Sequence, residues 1–245
     1  KNGAIDWDLL GDTVRTAVHA LDNVIEANRY PIELIEKMTR GNRKIGLGVM
    51  GFADMLIRLN IPYDSDKAIE TAEGLMRFIL DEGMKASEGL AAVRGVFPNF
   101  AGSVYDRPGG PRVRNATITT IAPTGTISMI AGCSSGIEPL YALSFVRNVL
   151  DNQELLEVNP IFEEVMRGRG LYSLPLMRKI AATGSIQKFE EIPESIRRIF
   201  VTALDIDPEW HVKMQAAFQK FTHNAVSKTV NFPHEATTAD VAKVY

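Results

Sequence analysis

Apolar residues recur at Leu10, Val14, Ala17, Val18, Leu21, Val24 and Ile25, the three-and-four spacing of a single helix face. Asp6 or Asp8 stands before the run as a capping residue and Pro31 closes it, so the pattern predicts an amphipathic first helix. A short helix follows over 32–40 and stops at Gly41-Asn42. IGLGV (45–49) reads as a brief strand ahead of a helix carrying Phe52, Met55, Leu56 and Leu59. Ser65 or Asp66 then caps a long helix that holds Ile69, Ala72, Met76, Ile79 and Leu80, with glycines at 74, 83 and 89.

Beyond residue 94 the pattern changes. RGVFPNFAGSVYDRPGGP (94–111) has the proline and glycine content of a surface loop. NATITTIA (115–122) is dense in β-branched residues and too poor in apolar ones for an amphipathic helix, which predicts a strand. YALSFVRNV (141–149) predicts a second strand and VSKTVNFP (226–233) a third. Between them, Asn159-Pro160 and Asp207-Pro208 repeat one helix-start chemistry, the second ahead of Trp210, Val212, Met214, Ala217, Phe218 and Phe221 at helical spacing. Strands separated by helices of ten or more residues predict an α/β architecture with parallel strands, in which helix outweighs strand.

Composition narrows the function classes. The 245 residues carry 27 Lys and Arg against 30 Asp and Glu, a net charge of −3 that lacks the basic excess used to grip a phosphate backbone or an anionic membrane. Cys133 is the only cysteine, so an intramolecular disulfide, a CxxC redox pair and a multi-cysteine zinc site are excluded. No run of eighteen apolar residues occurs, and KNGAIDWDLLGD has neither the basic nor the apolar region of a signal peptide, so a cytoplasmic location is expected. The chain starts at Lys1 without methionine and stops inside TTADVAKVY, which resembles a starting helix; a fragment of something longer is expected.

Two glycine motifs compete for attention. GLGVMG (46–51) matches the GxGxxG dinucleotide pattern, but polar TRGNRK precedes it where a buried strand is required, and Glu70 and Glu73 fall inside the long helix. Close packing is the simpler reason for its glycines. APTGTIS (122–128) has better surroundings. Pro123 ends a β-branched strand, Gly125 leaves room for close approach, and Thr124, Thr126 and Ser128 offer hydroxyls. A helix starting near Thr126 would aim unpaired amides, with Ile127 among their sources, at a phosphate. No GK[ST] lysine is present, so this is not a Walker loop. A capped helix start without a ligand is the alternative, and spacing alone does not separate the two.

The four histidines lack metal-binding spacing and read as surface or partly buried structural residues, so no metal site is expected. Glu138, beside a proline, is a possible catalytic carboxylate but is read as solvated or a cap. Cys133 has no local base or cation and reads as a small buried apolar residue.

RKIGLGVMGFADML, RNATITTIAPTGTISMIAGCSSGIEPLYALSF and FQKFTHNAVSKTVNFP together resemble the large catalytic subunit of ribonucleotide reductases, most closely the adenosylcobalamin-dependent class. The resemblance implies a ten-stranded α/β barrel, of which residues 1–245 would be most of the second half. It implies a substrate-phosphate site on Pro123, Thr124, Gly125, Thr126, Ile127 and Ser128. Family chemistry uses a cysteine thiyl radical at the ribose 3′ carbon, two further thiols and a carboxylate. No Asn-Pro-Cys-Gly-Glu finger loop occurs here, and GCSSG matches neither thiol role, so no catalytic residue is assigned to this chain. The resemblance also implies adenosylcobalamin, a ribonucleotide, the remainder of the subunit, a thioredoxin-type or dithiol reductant and possible homo-oligomers. A diiron-class subunit and a non-catalytic helical interaction module stay open as alternatives.

Overall fold

The computed structural model describes residues 3–149 and 153–245. Helix α1 (Trp7–Ala27) starts where the pattern places it, with the Asp6 carboxylate accepting from the Leu9 amide at 3.1 Å. Helix α2 (Glu33–Asn42) ends on Arg43 in the left-handed region. Helices α3 (Phe52–Arg58) and α4 (Asp66–Arg94) follow, then an irregular stretch with one 3-10 turn at Pro98–Phe100. Helix α5 (Gly125–Ala131) precedes strands β1 (Ser144–Val149) and β2 (Gln153–Val158). Helices α6 (Pro160–Gly168), α7 (Leu174–Thr183), α8 (Glu194–Ile199), α9 (Pro208–Gln219) and α10 (Thr238–Ala242) complete the chain. Asn159 caps α6 through the amides of Ile161 and Phe162, as its Asn-Pro sequence predicts. Among the described residues no helix is long and apolar enough to cross a membrane.

Contacts divide the chain into two units, each assembled from three segments. The first comprises 1–49, 71–122 and 216–227. Its centre is three extended segments lying parallel. Ile45 and Leu47 donate to the carbonyls of Thr117 and Ile118, Thr120 donates to Leu47, and Ile121 donates to Ala225 O and accepts from the Ser227 amide of the third segment. Two isolated bridges, Leu47 to Thr119 and Ile121 to Val226, are all the regular pairing these segments reach, so 115–122 and 226–233 are not the full strands predicted. Side chains take up much of the bonding instead: Asn224 Nδ2 bonds Thr119 O at 3.0 Å, and the Thr119 hydroxyl accepts from the His223 amide at 2.9 Å.

Val18, Ile25, Ile45 and Ile118 pack as one apolar cluster, and Phe97, Phe100 and Val113 as another. Asp22 is fully buried beside them. It accepts from Arg43 Nε and Nη2 at 2.9 and 2.7 Å, from Arg94 and from Asn115. Burial works against its charge, but Arg43, helped by Asn115 and Arg114, holds the carboxyl below its ordinary range. Removing one partner of such a buried pair costs about 3–5 kcal/mol, because a charge is left uncompensated.

The second unit comprises 50–70, 123–215 and 228–245. Phe162 and Phe200 meet edge to face at 5.2 Å in its core, with Leu56, Ile137 and Leu143 also buried. Here the strand prediction for 141–149 needs correction: β1 starts at Ser144 and pairs antiparallel with β2, Phe145 opposite Glu157 and Arg147 opposite Leu155. An antiparallel neighbour needs only a short connection, so the adjacent segment wins the pairing over any distant parallel strand. Charged Glu154 and Glu157 conceal β2 in the sequence, yet Glu157 pairs across the hairpin with Arg147 at 2.9 Å. Helices α7 and α8 are likewise not apparent from periodicity; α7 rests on a Ser173 cap.

Candidate functional site

The APTGTIS segment leaves its extended conformation at Pro123 and turns through Thr124 (φ 56, ψ 22) into α5. A β-branched residue seldom occupies the left-handed region, and the neighbouring bonds show what holds it there. The Gly136 amide donates to Thr124 Oγ1 at 2.7 Å, and the Ser128 amide donates to Thr124 O at 2.9 Å. Ser128 is buried, with its hydroxyl 3.2 Å from Gly125 O and 2.8 Å from Ser135 Oγ. Two of the three predicted hydroxyls therefore brace the turn, and Thr126 is the one free of bonds within the protein among the described residues.

Among the described residues no side chain caps α5. The amides of Gly125, Thr126 and Ile127 lie in its first turn, where no intrahelical acceptor exists, and all three residues are exposed. Gly125 has a helical rather than left-handed φ, and a Cβ built on it would have nothing within 4 Å. Neither backbone conformation nor packing demands a glycine there.

Two cavities open on this unit and share Ser128, Met129, Cys133, Ser134 and Leu140. The first, about 440 Å³, is lined also by Asp54, Arg58 and Asn159. Asp54 Oδ2 accepts from the Ser134 amide at 2.7 Å, while Oδ1 is buried with no partner among the described residues. Burial pushes the Asp54 carboxyl up, against the pull of its bonds to Ser134. Cys133 is half-buried and faces both cavities, a departure from the buried apolar role expected of it; burial and the Asp54 charge push its thiol up.

The second cavity, about 470 Å³, adds Ser135, Glu138, Tyr141, Thr229 and Asn231. Glu138 is half-buried and ion-paired rather than freely solvated or a cap. Its Oε2 accepts from Lys228 Nζ at 2.6 Å and its Oε1 from the Thr229 amide at 2.7 Å. Lys228, whose side chain is only 2% exposed, also donates through Nζ to His211 Nδ1 at 2.8 Å and to Thr229 O at 2.5 Å. With Nδ1 accepting, the His211 proton sits on Nε2 and points at Ala203 O, 3.2 Å away. His211 is fully buried, contrary to the surface or partly buried role expected, and burial with the Lys228 charge lowers its pKa to about 4. Burial lowers the Lys228 pKa as well, opposed by Glu138.

Of the six residues predicted to bind phosphate, Ser128 is the one that lines these two cavities; Thr124 is half-buried and Pro123, Gly125, Thr126 and Ile127 are exposed. Sequence reasoning missed Asp54, His211, Lys228, Thr229 and Asn231. The partners of Asp54, His211, Lys228 and Thr229 lie 80, 17, 90 and 91 residues away, so no local spacing could announce them. Among the described residues, no group of three His, Cys, Asp or Glu side chains is arranged to hold a metal ion.

The ribonucleotide reductase barrel-domain family model matches residues 1–110 and 111–245. The chain is 58% identical over 241 residues to the vitamin B12-dependent ribonucleoside-diphosphate reductase of Thermoplasma acidophilum, covering 98% of this chain and 31% of that protein. Against the vitamin B12-dependent ribonucleoside-diphosphate reductase of Mycobacterium tuberculosis it is 47% identical over 244 residues, covering 100% of this chain and 35% of that one. The chain thus spans about a third of the length of these relatives. Among solved structures, the Actinobacillus ureae class Id ribonucleotide reductase alpha subunit matches with a TM-score of 0.71 at 24% identity, over 85% of this chain and 38% of that one, a likeness of fold.

Proposed function

Because this chain belongs to the ribonucleotide reductase barrel-domain family, we propose that it is the second half of a catalytic barrel that receives a ribonucleoside diphosphate, its phosphates resting on Pro123–Ser128. The fold class is that of the family, a helix-rich part of an α/β barrel. The observation that carries the phosphate reading is the exposed, uncapped turn at Gly125. Glycine is about 1 kcal/mol worse than alanine in a helix, and nothing in the fold requires it at this position. Space over three unpaired amides is what an incoming phosphate oxygen needs, and the Thr126 hydroxyl adds a further donor.

The reaction proposed for the full-length protein is reduction of the ribonucleotide to a deoxyribonucleotide, with adenosylcobalamin as radical source and a dithiol or thioredoxin-type reductant. Support for that class comes from the two vitamin B12-dependent relatives. The cavities described here do not fit the cofactor: at about 440 and 470 Å³ each has the size of an ordinary small-molecule pocket and cannot enclose a corrin with its nucleotide tail. No corrin contact is assigned to this chain. One cysteine cannot supply both the hydrogen-abstracting radical and a reducing pair, so those thiols belong to the remainder of the subunit.

Calorimetric titration with a ribonucleoside diphosphate, with inorganic pyrophosphate as the minimal probe, tests the phosphate reading. Binding should weaken about tenfold in Gly125→Ala and be lost in Gly125→Val, with Cys133→Ser within twofold of the parent. Equal affinity in all four proteins would remove the loop from the site. The chain alone, given adenosylcobalamin, dithiol and substrate, should form no deoxyribonucleotide; radiolabelled product abolished by Cys133→Ser would show that the lone thiol has been misassigned.

A further inference from the structure

Segment 228–232 lies in neither helix nor strand, and among the described residues none of its amides bonds another backbone group. Yet Thr229 and Asn231 form one wall of the 470 Å³ cavity. Something other than a ladder must hold that wall, and the bonds name it. Both oxygens of Glu138 are spent on the segment, one on the Lys228 ammonium and one on the Thr229 amide.

Glu138 itself is rigidly presented. Its amide donates to Ser135 O at 2.9 Å, the preceding Ile137 is fully buried with its carbonyl accepting from Tyr63 Oη at 2.6 Å, and Pro139 fixes the backbone on the other side. Lys228 has all three ammonium protons committed, to Glu138, His211 and its neighbour's carbonyl. It therefore has no donor left for an anionic ligand, and its role is to be held. Since His211 is already fixed by Ala203 O, the ammonium docks into a preformed acceptor pair rather than a mobile surface.

We propose that Glu138 is a positioning residue of the nucleotide site: through Lys228 and the Thr229 amide it fixes the 228–231 wall against which the bound nucleotide packs. This rests on the proposal that phosphates bind at Pro123–Ser128, since Ser128 also lines this cavity and a nucleotide held there would extend into it. Glutamine at 138 keeps an acceptor for the Thr229 amide but strands a buried cation, whereas methionine at 228 leaves a carboxylate that water can reach. The two substitutions are thus unequal alone, and together they leave no unpaired charge but also no bridge.

Full-length reductase carrying Glu138→Gln, Lys228→Met or both is compared with the parent for substrate KM, for kcat, and for hydrogen exchange of peptides covering 228–231 and α4. In Glu138→Gln, exchange of the Thr229 amide, the one amide of the segment with a bond among the described residues, should accelerate at least tenfold with α4 unchanged, and KM should rise at least tenfold with kcat within threefold. The double variant strands no charge but still lacks the bridge, so its exchange should stay faster than the parent's; exchange restored to the parent's rate would show that the bridge does not hold the wall and overturn the proposal. Exchange no faster in Glu138→Gln than in the parent overturns the positioning role whatever the kinetics. Faster exchange with unchanged KM overturns the assignment of this wall to the nucleotide site, while the phosphate loop stands or falls by the pyrophosphate titration. If Glu138→Gln does not fold, Lys228→Met carries the same two readouts, with smaller expected changes of about threefold, and no change in either overturns the proposal.

Discussion

Gly48 and Gly125 occupy similar sequence settings, each a glycine within a short run of small and apolar residues, and the fold uses them for opposite purposes. A Cβ on Gly48 would strike the Thr120 carbonyl oxygen, and one on Gly46 would come within 2.7 Å of Thr120 Cγ2. These glycines let two extended segments lie side by side. Gly125 meets nothing within 4 Å and keeps a helical backbone. Where the missing side chain is filled by the protein's own backbone, glycine is a packing residue; where the space stays open above unpaired amides, a ligand is the better explanation.

The largest test of this contrast is stability. Gly48→Ala should cost about 3 kcal/mol or more, because the obstacle is backbone and cannot rotate away, while Gly125→Ala should be neutral or stabilising by up to about 1 kcal/mol. Denaturant midpoints of the two variants read this directly, and equal losses would erase the distinction. Saturable NADH binding that disappears in Gly48→Val would break it from the other side, restoring a dinucleotide role to GLGVMG.

Acid should act on the unit that contains Gly125 through His211. The unfolded chain takes up the imidazole proton near pH 6.5 and the folded chain only near pH 4, so between those values the unfolded state binds more protons. Stability from this group is complete above about pH 6.5 and falls by about 3 kcal/mol as the pH drops to 4. His211→Asn, followed by urea unfolding at pH 7 and pH 5, should show a smaller pH dependence than the parent; an unchanged slope would mean that the ring is not held neutral.

A smaller effect concerns how the open turn is braced. Thr124→Val removes the acceptor for the Gly136 amide while keeping the β-branched shape in a left-handed backbone, and should cost about 1–2 kcal/mol by thermal unfolding. Thr124→Gly relieves the backbone strain as it loses the same bond, and should cost less than the valine variant. The reverse order would show that the hydroxyl is not what stabilises the turn. Smallest of all, Cys133→Ser should move stability by no more than about 0.5–1 kcal/mol, and the parent thiol should alkylate more slowly at pH 7 than a free cysteine, since its thiolate is disfavoured.

Much of this was written locally. The apolar periodicity of α1 and α4 and the Asp6 and Asn159 caps rest on interactions within four residues, which spacing encodes directly, whereas the helix start after Pro123 was visible from its proline and glycine but is also braced by Gly136, twelve residues from Thr124. The motifs around PTGTIS and GIEP also carried the family resemblance. The antiparallel hairpin was hidden because Glu154 and Glu157 interrupt the apolar residues of β2, and the parallel segments fell short of full strands because side chains such as Asn224 replace ladder bonds.

Glu138 shows where local reading ends. Its residue type and turn were visible in the sequence, but its partners Lys228 and Thr229 lie 90 and 91 positions away and His211 joins only through Lys228. A carboxylate beside proline is equally compatible with water, a cap or a buried cation. Helical spacing and capping are properties of neighbouring residues and so belong to the sequence itself. Which buried charge meets which, and whether the space above a glycine is full or empty, depends on segments brought together from across the chain, and only the tertiary structure decides it.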